Sequence, residues 1–272
     1  NSDDLRIRDV VYYTNLYEEE DGHDADFRLD QGFSRTVVPR LANGLHILRD
    51  WKVNLIDTSK SDGVHVVNQK GNVLKCHRVV VTPSLQVIKN ISFVPQLPEE
   101  FREAVNSIKL ENAIKIILIY KKRFWPEQLH GMICAGCLIP EIWFIERSPT
   151  DFAVVGFTTS SCANKVKEIG QTKATEEMVA QLNRIFGGSK VPANDFVDSV
   201  YYDWSSDPFV GGGYACVLSK KQREVLFGYK DPYIFFAGES YSNSFSSVGG
   251  AMQSSIRAAD LVQKSFSLAK LQ

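Results

Sequence analysis

The sequence contains no G-x-G-x-x-G turn, no P-loop and no G-x-S-x-G elbow. The first two absences remove the glycine-rich turns that carry backbone N–H groups to a phosphate at a helix start. The third removes the nucleophile of an α/β-hydrolase. No run of about 18 apolar residues occurs, so no membrane span is expected, and no signal peptide is visible. Charge of one sign is also lacking: 31 Lys and Arg face 32 Asp and Glu, a net charge of -1. No long-range field draws the chain to nucleic acid or an anionic membrane. Basic residues do not interleave with aromatics in a stripe, so direct nucleic-acid binding is not expected.

Cysteine is scarce. Five residues, an odd number at irregular spacing, exclude a complete disulfide framework. The expectation is an intracellular rather than a secreted protein. Cys134 and Cys137 form a single C-x-x-C, readable as a redox pair or as half a zinc site. A tetrahedral zinc needs two more ligands, no second cysteine pair exists, and the five histidines show no metal-ligand spacing. Buried, reduced thiols are therefore expected. The opening residues are polar, with an acidic run at Glu18–Asp21 that reads as a solvated face. Asn1 in place of Met reads as the start of a processed or trimmed chain.

What is present is an ordinary globular composition, 44% apolar and 23% charged, enough for a sizeable core. Tyr233–Phe236 is an apolar run ending in Ala237-Gly238-Glu239, as a buried strand does. After the polar stretch Ser240–Ser247 comes Val248-Gly249-Gly250-Ala251. Met252, Ile256, Ala259, Val262 and Phe266 then recur at helical steps. Small residues at such a helix start would let a ligand approach free backbone N–H groups.

Earlier in the chain, Val38, Leu41, Leu45 and Leu48 predict an amphipathic helix that Gly44 interrupts or ends. Val53–Asp57 predicts a strand, and the segments flanking Gly71-Asn72 a hairpin. Val79–Val81 reads as a strand in the middle of a sheet. Helix follows at Phe101–Ile108, and a strongly apolar strand at 112–120 carries Lys115. Strands are expected near 142–145, 152–158, 196–202 and 214–217, with a helix over Ala174–Phe186. The fold class is α+β or α/β: an α/β layer beside a mostly antiparallel sheet flanked by helices. Three segments are expected: 1–83, 84–225 and 226–272.

Lys115 sits between Ile114 and Ile116. It is either a lysine reaching to a sheet edge or a positioned amine holding a water or an acceptor. Trp204–Tyr214 is a glycine-rich turn between aromatics, either a long hairpin loop or a device that presents Tyr214 to something large and flat.

Several pieces together carry a family signature: D-Q-G-F-S-R, V-N-L-I, V-V-V-T-P-S-L-Q-V-I-K, F-V-P-Q-L-P, N-A-I-K-I followed by F-W-P, W-S-S-D-P-F-V-G-G-G-Y, and F-F-A-G-E-S with the closing G-G-A-M helix. The chain resembles the flavin-containing amine oxidases, which include monoamine oxidases, polyamine oxidases and lysine-specific histone demethylases. The resemblance is read over about residues 30–265 and as the C-terminal portion only. It implies FAD-dependent oxidation of a polyamine-like or N-substituted amine by hydride transfer to flavin, with O2 as acceptor. The cofactor-binding layer would be a partial Rossmann-like one, formed by 1–83 and 226–272, and 84–225 the substrate domain.

The resemblance also implies roles for single residues. Val53 would touch the adenine end of FAD, and Thr82 and Pro83 would flank the dinucleotide. Gly238 and Glu239 would meet the pyrophosphate and ribityl region. Trp204 and Val248 would lie by the ring, Tyr214 would wall the amine, and Lys115 would hold a water bridged to flavin N5. Ser247 stands where monoamine oxidases carry a second cage tyrosine, which looks more like the polyamine-oxidase and demethylase branch. With no G-x-G-x-x-G, the 272 residues alone are expected to bind FAD weakly or not at all. The expected partners are an amine substrate and the missing N-terminal half of the fold. The alternative is a degenerate, non-catalytic domain serving as scaffold or interaction module.

Overall fold

The structure, a computed structural model, describes residue 29 and residues 32–187, 193–216 and 218–269. The acidic run Glu18–Asp21 lies outside the described residues. The elements, in order, are α1 (Phe33–Thr36), α2 (Val38–Ala42), β1 (Val53–Asp57), β2 (Val64–Asn68), β3 (Val73–Cys76), β4 (Val79–Val81), α3 (Leu85–Ile88), β5 (Ser92–Val94), α4 (Glu99–Ser107) and β6 (Ala113–Tyr120). They continue with β7 (Gly131–Ile133), β8 (Glu141–Ser148), β9 (Asp151–Thr159), α5 (Ser160–Phe186), β10 (Phe196–Asp203), α6 (Lys220–Gly228), β11 (Ile234–Phe236) and α7 (Val248–Ala269).

Three sheets form. The first has the order β3-β2-β1-β5: two antiparallel pairs and one parallel pair, β1 with β5. The second is antiparallel throughout, in the order β10-β6-β9-β8-β7. The third is the parallel pair β11-β4. The fold is thus a helix-flanked mixed and antiparallel α+β arrangement with a partial Rossmann-like layer.

Two large cores hold these sheets. One gathers Ile56, Val64, Leu85, Phe101, Leu226, Phe236 and Tyr241, so α3, β5, α4 and α6 pack with the first and third sheets. The other gathers Ile114, Ile116, Leu118, Tyr120, Ile142 and Val154 against Ala163, Val166, Met178 and Leu182 of α5. Each of these β6 residues is at most 1% exposed. Strand alternation therefore commits one face of the antiparallel sheet to α5 and leaves the other to Lys115, Ile117 and Ile119.

Several sequence expectations need correction. The helix over Val38–Leu48 stops at Ala42, because Gly44 takes a φ of 78° and turns the chain. Leu41, Leu45 and Leu48 are exposed. Val79–Val81 is in a two-stranded sheet, with Val80 exposed, not in the middle of a larger one. Within 214–217 only Ala215 bridges, to Leu110, and no strand forms among its described residues. All five cysteines are free and partly exposed rather than fully buried. In α7 the packed face is Ser254 and Ala258, while Met252 and Ile256 point to solvent. Small side chains win that face because Ser254 Oγ must reach the Gly238 backbone, accepting from its N–H at 2.9 Å and donating to its carbonyl at 2.8 Å.

Candidate flavin and amine site

The uncovered face of the antiparallel sheet is the chemically distinctive surface. Lys115 is opposite Tyr202 of β10 and Phe157 of β9. Its Nζ is 5.5 Å from the Phe157 ring centroid, a cation–π contact. β6 is an interior strand of the sheet, so Lys115 does not reach to an edge. Its side chain instead stands on the open face, exposed. Tyr202 is in edge-on contact with Trp204, centroids 4.5 Å apart. Val200 and Trp143, on the same face by register, are about half exposed, at 44% and 46%.

Trp204 is held by its neighbours. Asp203 ends β10 and accepts hydrogen bonds from Ser205 N–H (2.9 Å), Ser205 Oγ (2.5 Å) and Ser206 Oγ (2.6 Å). Lys167 Nζ from α5 lies 3.0 Å from Oδ2, the oxygen that also accepts from Ser206. Burial alone would raise the Asp203 carboxyl; the two serines and the lysine outweigh it and hold it at about 2. The Tyr202 hydroxyl donates to Asp207, which lifts the phenol above its usual range and lowers the carboxyl.

The three glycines before Tyr214 serve internal packing. A Cβ on Gly211 would lie 2.7 Å from Gln86 Cβ, on Gly212 2.4 Å from Leu110 Cβ, and on Gly213 2.6 Å from Ala113 Cβ. Tyr214 is then fixed through its backbone, its carbonyl accepting from Glu111 N–H at 2.8 Å. This puts it beside the lead-in to β6, two residues from the Ala113 that precedes Lys115 on the same strand.

Glu239 joins this region to the serine-rich loop. Its carboxylate accepts from Ala215 N–H (3.3 Å), Ser240 Oγ (2.6 Å) and Ser246 N–H (3.0 Å). Ser247 caps α7: its Oγ accepts from Gly250 N–H at 3.0 Å and donates to the Ser244 carbonyl at 2.7 Å. Gly250 is pressed so closely on that loop that a Cβ would lie 1.9 Å from Ser244 O. The N–H groups of Gly238 and Gly250 are thus both taken within the chain.

The structure therefore brings Lys115 together with Trp204 through Tyr202, Glu239 to Ala215, the residue after Tyr214, and Thr82 to Gly238, whose Cβ position lies 3.9 Å from Thr82 O. Pro83 leads into Ser84, whose Oγ donates to Val210 O at 2.5 Å and ties α3 to the glycine loop. Val248, 55% exposed, opens α7. Val53 begins β1 in the separate four-stranded sheet. A cleft of about 340 Å³ opens between α3 and the 205–211 loop, but none of the sequence-predicted site residues lines it. The candidate site is an open shelf.

Sequence reasoning missed the roles of Tyr202 and Asp203. Tyr202 alternates with Val200 on the same side as the Lys115 partner position, and Asp203-x-Ser205 is a capping pattern, so both signals were available.

The fit to a flavin differs between its two ends. A flat apolar ring matches the Trp204–Tyr202–Phe157 shelf. The pyrophosphate finds neither a glycine-rich turn nor an open N–H at Gly238 or Gly250.

Comparison with known proteins places the chain in a family. A family model described as flavin containing amine oxidoreductase matches residues 10–263. Polyamine oxidase 2 of Arabidopsis thaliana is 29% identical over 235 residues, 83% of this chain and 46% of the relative. Human lysine-specific histone demethylase 2 is 25% identical over 249 residues, 86% of this chain and 30% of the relative. Among solved structures, a triple mutant of putrescine oxidase, from a structure-based redesign of cofactor binding, superposes with a TM-score of 0.72 at 20% identity. It covers 86% of this chain and 53% of that one. The chain thus spans less than half the length of these curated relatives.

The match corrects the expectation that only the C-terminal portion of the family pattern is represented, from about residue 30. It begins at residue 10, inside the acidic opening whose charge pattern hid the likeness, and takes in nearly the whole chain. This chain belongs to the flavin containing amine oxidoreductase family.

Proposed function

We propose that the chain forms the amine-facing and ring-facing surface of an FAD-dependent oxidase acting on a polyamine-like or N-substituted amine, with O2 as final acceptor. The observation that carries this reading is the exposed Lys115 flanked by Phe157 and Tyr202 on an otherwise uncovered sheet face, with Trp204 edge-on to Tyr202. When bound, the flavin supplies the two-electron acceptor that no side chain here can provide.

The chain's residues do the rest. Trp204, fixed by Asp203, and Val248 would lie along the ring. Thr82, Pro83, Gly238 and Glu239 would face the rest of the dinucleotide, and Val53 its adenine end. Tyr214 would wall the amine, with Ser247 leaving room beside it. The reacting nitrogen must be uncharged. An apolar aromatic shelf disfavours an ammonium by desolvation, and the Lys115 ammonium disfavours a second cation nearby. Lys115 would also orient a water at the ring. The phosphates would be held by a glycine-rich partner unit, since this sequence has no such turn.

A second reading, a non-catalytic scaffold of the same family, is favoured by one observation. The Glu239 carboxylate and the Gly238 and Gly250 N–H groups are satisfied within the chain.

The test is anaerobic mixing of the protein with FAD and then with spermidine, an N-methylated lysine peptide or an L-amino acid. Flavin fluorescence reports binding and loss of flavin absorbance reports reduction. The proposal expects quenching that Trp204→Ala weakens, bleaching by the polyamine, and slower bleaching in Lys115→Met. Quenching without bleaching by any amine would establish the scaffold reading. No quenching of FAD, nor of lumiflavin, which needs no phosphate contact, would reject a flavin role for this chain.

A further inference from the structure

The Cys134–Cys137 pair lies outside the shelf and has no part in the proposed oxidation. It occupies a tight turn between β7 and β8. Cys137 N–H donates to the Cys134 carbonyl at 3.2 Å, closing a four-residue turn with Gly136 at a φ of 76°. Glycine at the third turn position supplies the positive φ that this geometry needs. Cys134 N–H donates to the Pro140 carbonyl at 2.7 Å, so the loop is stapled at its base as well. Gln181, 1% exposed on α5, then clamps the same loop: its side-chain nitrogen donates to Ile139 O at 2.7 Å and its oxygen accepts from Ile139 N–H at 3.4 Å.

The result is that the two Sγ atoms are held 2.7 Å apart, with the Cys137 thiol directed at the Cys134 sulfur. Both residues are partly exposed. Ala135 and Gly136 at the tip are exposed, and a Cβ on Gly136 would meet nothing within 4 Å. A small oxidant therefore has access.

The other three cysteines are placed differently. Cys76 Sγ is directed at the Val64 carbonyl at 3.8 Å, and Cys216 Sγ at the Glu111 carboxylate at 3.4 Å. Burial, then that carboxylate, push the Cys216 thiol up to about 12. The neighbouring Cys137 thiol, then burial, hold the Cys134 thiol above its ordinary range, against the lowering effect of the Arg184 charge and the Gln181 amide. Among the described residues no third or fourth ligand joins the pair into a metal site.

We propose that Cys134 and Cys137 form a reversible dithiol–disulfide site that is oxidised by low-molecular-weight disulfides such as oxidised glutathione. One cysteine, as thiolate after loss of its proton, attacks a glutathione sulfur. A protein–glutathione S–S bond forms and a glutathione thiolate leaves. The second cysteine, likewise deprotonated, attacks the protein-side sulfur of that mixed disulfide. The Cys134–Cys137 bond forms and the second glutathione thiolate leaves. In total the pair gives up two protons and two electrons, and one oxidised glutathione becomes two reduced glutathiones. The site would be a redox-sensitive brace on the loop that edges the open sheet face next to Ile133, which is 75% exposed.

The experiment uses the full native chain, equilibrated with mixtures of oxidised and reduced glutathione, quenched in acid, alkylated under denaturing conditions and mapped by mass spectrometry. Tryptic peptide 124–147 contains both cysteines and no others. The expected result is a peptide lighter by two hydrogens and unalkylated in oxidising mixtures, restored to two alkylated thiols by dithiothreitol. Cys134→Ser and Cys137→Ser should each stop with one glutathione on the remaining cysteine. A doubly alkylated peptide at every ratio would overturn the proposal. So would glutathione on Cys76, Cys162 or Cys216 with none of the 124–147 crosslink.

Discussion

At the residue scale, Gly250 and Ser247 show how far a side chain's use can depart from what its type implies. A glycine at a helix start implies an open N–H for a ligand, and a serine in a cage position implies room for substrate. In the fold the two satisfy each other: Ser247 Oγ takes the Gly250 N–H, and Gly250 lets the Ser244 carbonyl approach to where a Cβ would be 1.9 Å away. Gly250→Ala forces the loop off the helix, since backbone cannot yield as a flexible side chain can. The expected cost is about 3 kcal/mol. Ser247→Ala loses only the cap, about 1 kcal/mol. Urea unfolding of both variants checks the order; equal costs would mean that the loop is free to move. Neither role was legible in sequence, because it depends on a loop whose return path nothing in Ser240–Ser247 specifies.

At the element scale, α5 offers a test in which two principles predict opposite signs. Gly170 sits inside it at φ 80° and ψ 166°, conformations open to glycine alone, and a Cβ there would touch nothing within 4 Å. Were the helix continuous, Gly170→Ala would stabilise by about 1 kcal/mol. With the kink the substitution costs about 1–3 kcal/mol of backbone strain. A lowered thermal midpoint confirms the kink, and a raised one removes it.

The end of β10 carries the pH dependence. The Asp203 carboxyl is held at about 2 against an ordinary value of 3.8. Between those values the unfolded chain binds more protons than the folded one, so stability rises with pH through that window. The contribution is present above about pH 4 and lost as pH falls through 2. Screened by solvent, it is worth about 1 kcal/mol. Asp203→Asn should therefore be less stable than the parent at pH 7, and the gap should close on acidification toward pH 2. A gap independent of pH would mean that the Lys167 pair and the serine caps contribute nothing through charge.

Strands β6, β8, β9 and β10 of the second sheet were readable because their apolar residues are dense and β-branched, as in Ile114–Ile119, whereas the short edge strand β7, Gly131–Ile133, was not. Helix α6 was missed although Ser219 and Gln222 form a capping box, a signal visible in the letters. The first half of α5 was missed because Ser160, Ser161 and Gly170 weaken its pattern. The shelf itself was half legible. Lys115 and Trp204 stood out as residues, but their nearness depends on the β10–β6 register, which pairs Tyr202 with Lys115. Register is set by packing and turns far from either residue.

At the scale of the whole molecule, the apolar ring shelf and the phosphate-binding function are separable. The shelf is presented by the second sheet and by residues that Asp203, Glu111 and Glu239 anchor. The N–H groups that would neutralise a pyrophosphate are consumed by Ser254 and Ser247. A ligand with the ring alone should then gain nearly everything this chain can give. Lumiflavin, which has no ribityl chain or phosphate, should bind within about threefold of FAD, a difference of less than 1 kcal/mol. Raising salt should leave both affinities unchanged, since no phosphate contact releases counterions. Titration of tryptophan fluorescence with each ligand makes the comparison, and Trp204→Phe should weaken both equally. FAD binding that is tenfold tighter or more, and weakened by salt, would require that these residues hold the phosphates after all. The loop at Ser240–Ser247 would then have to release Gly250 on binding, and Ser247→Ala, which frees that N–H, should tighten FAD while leaving lumiflavin unchanged.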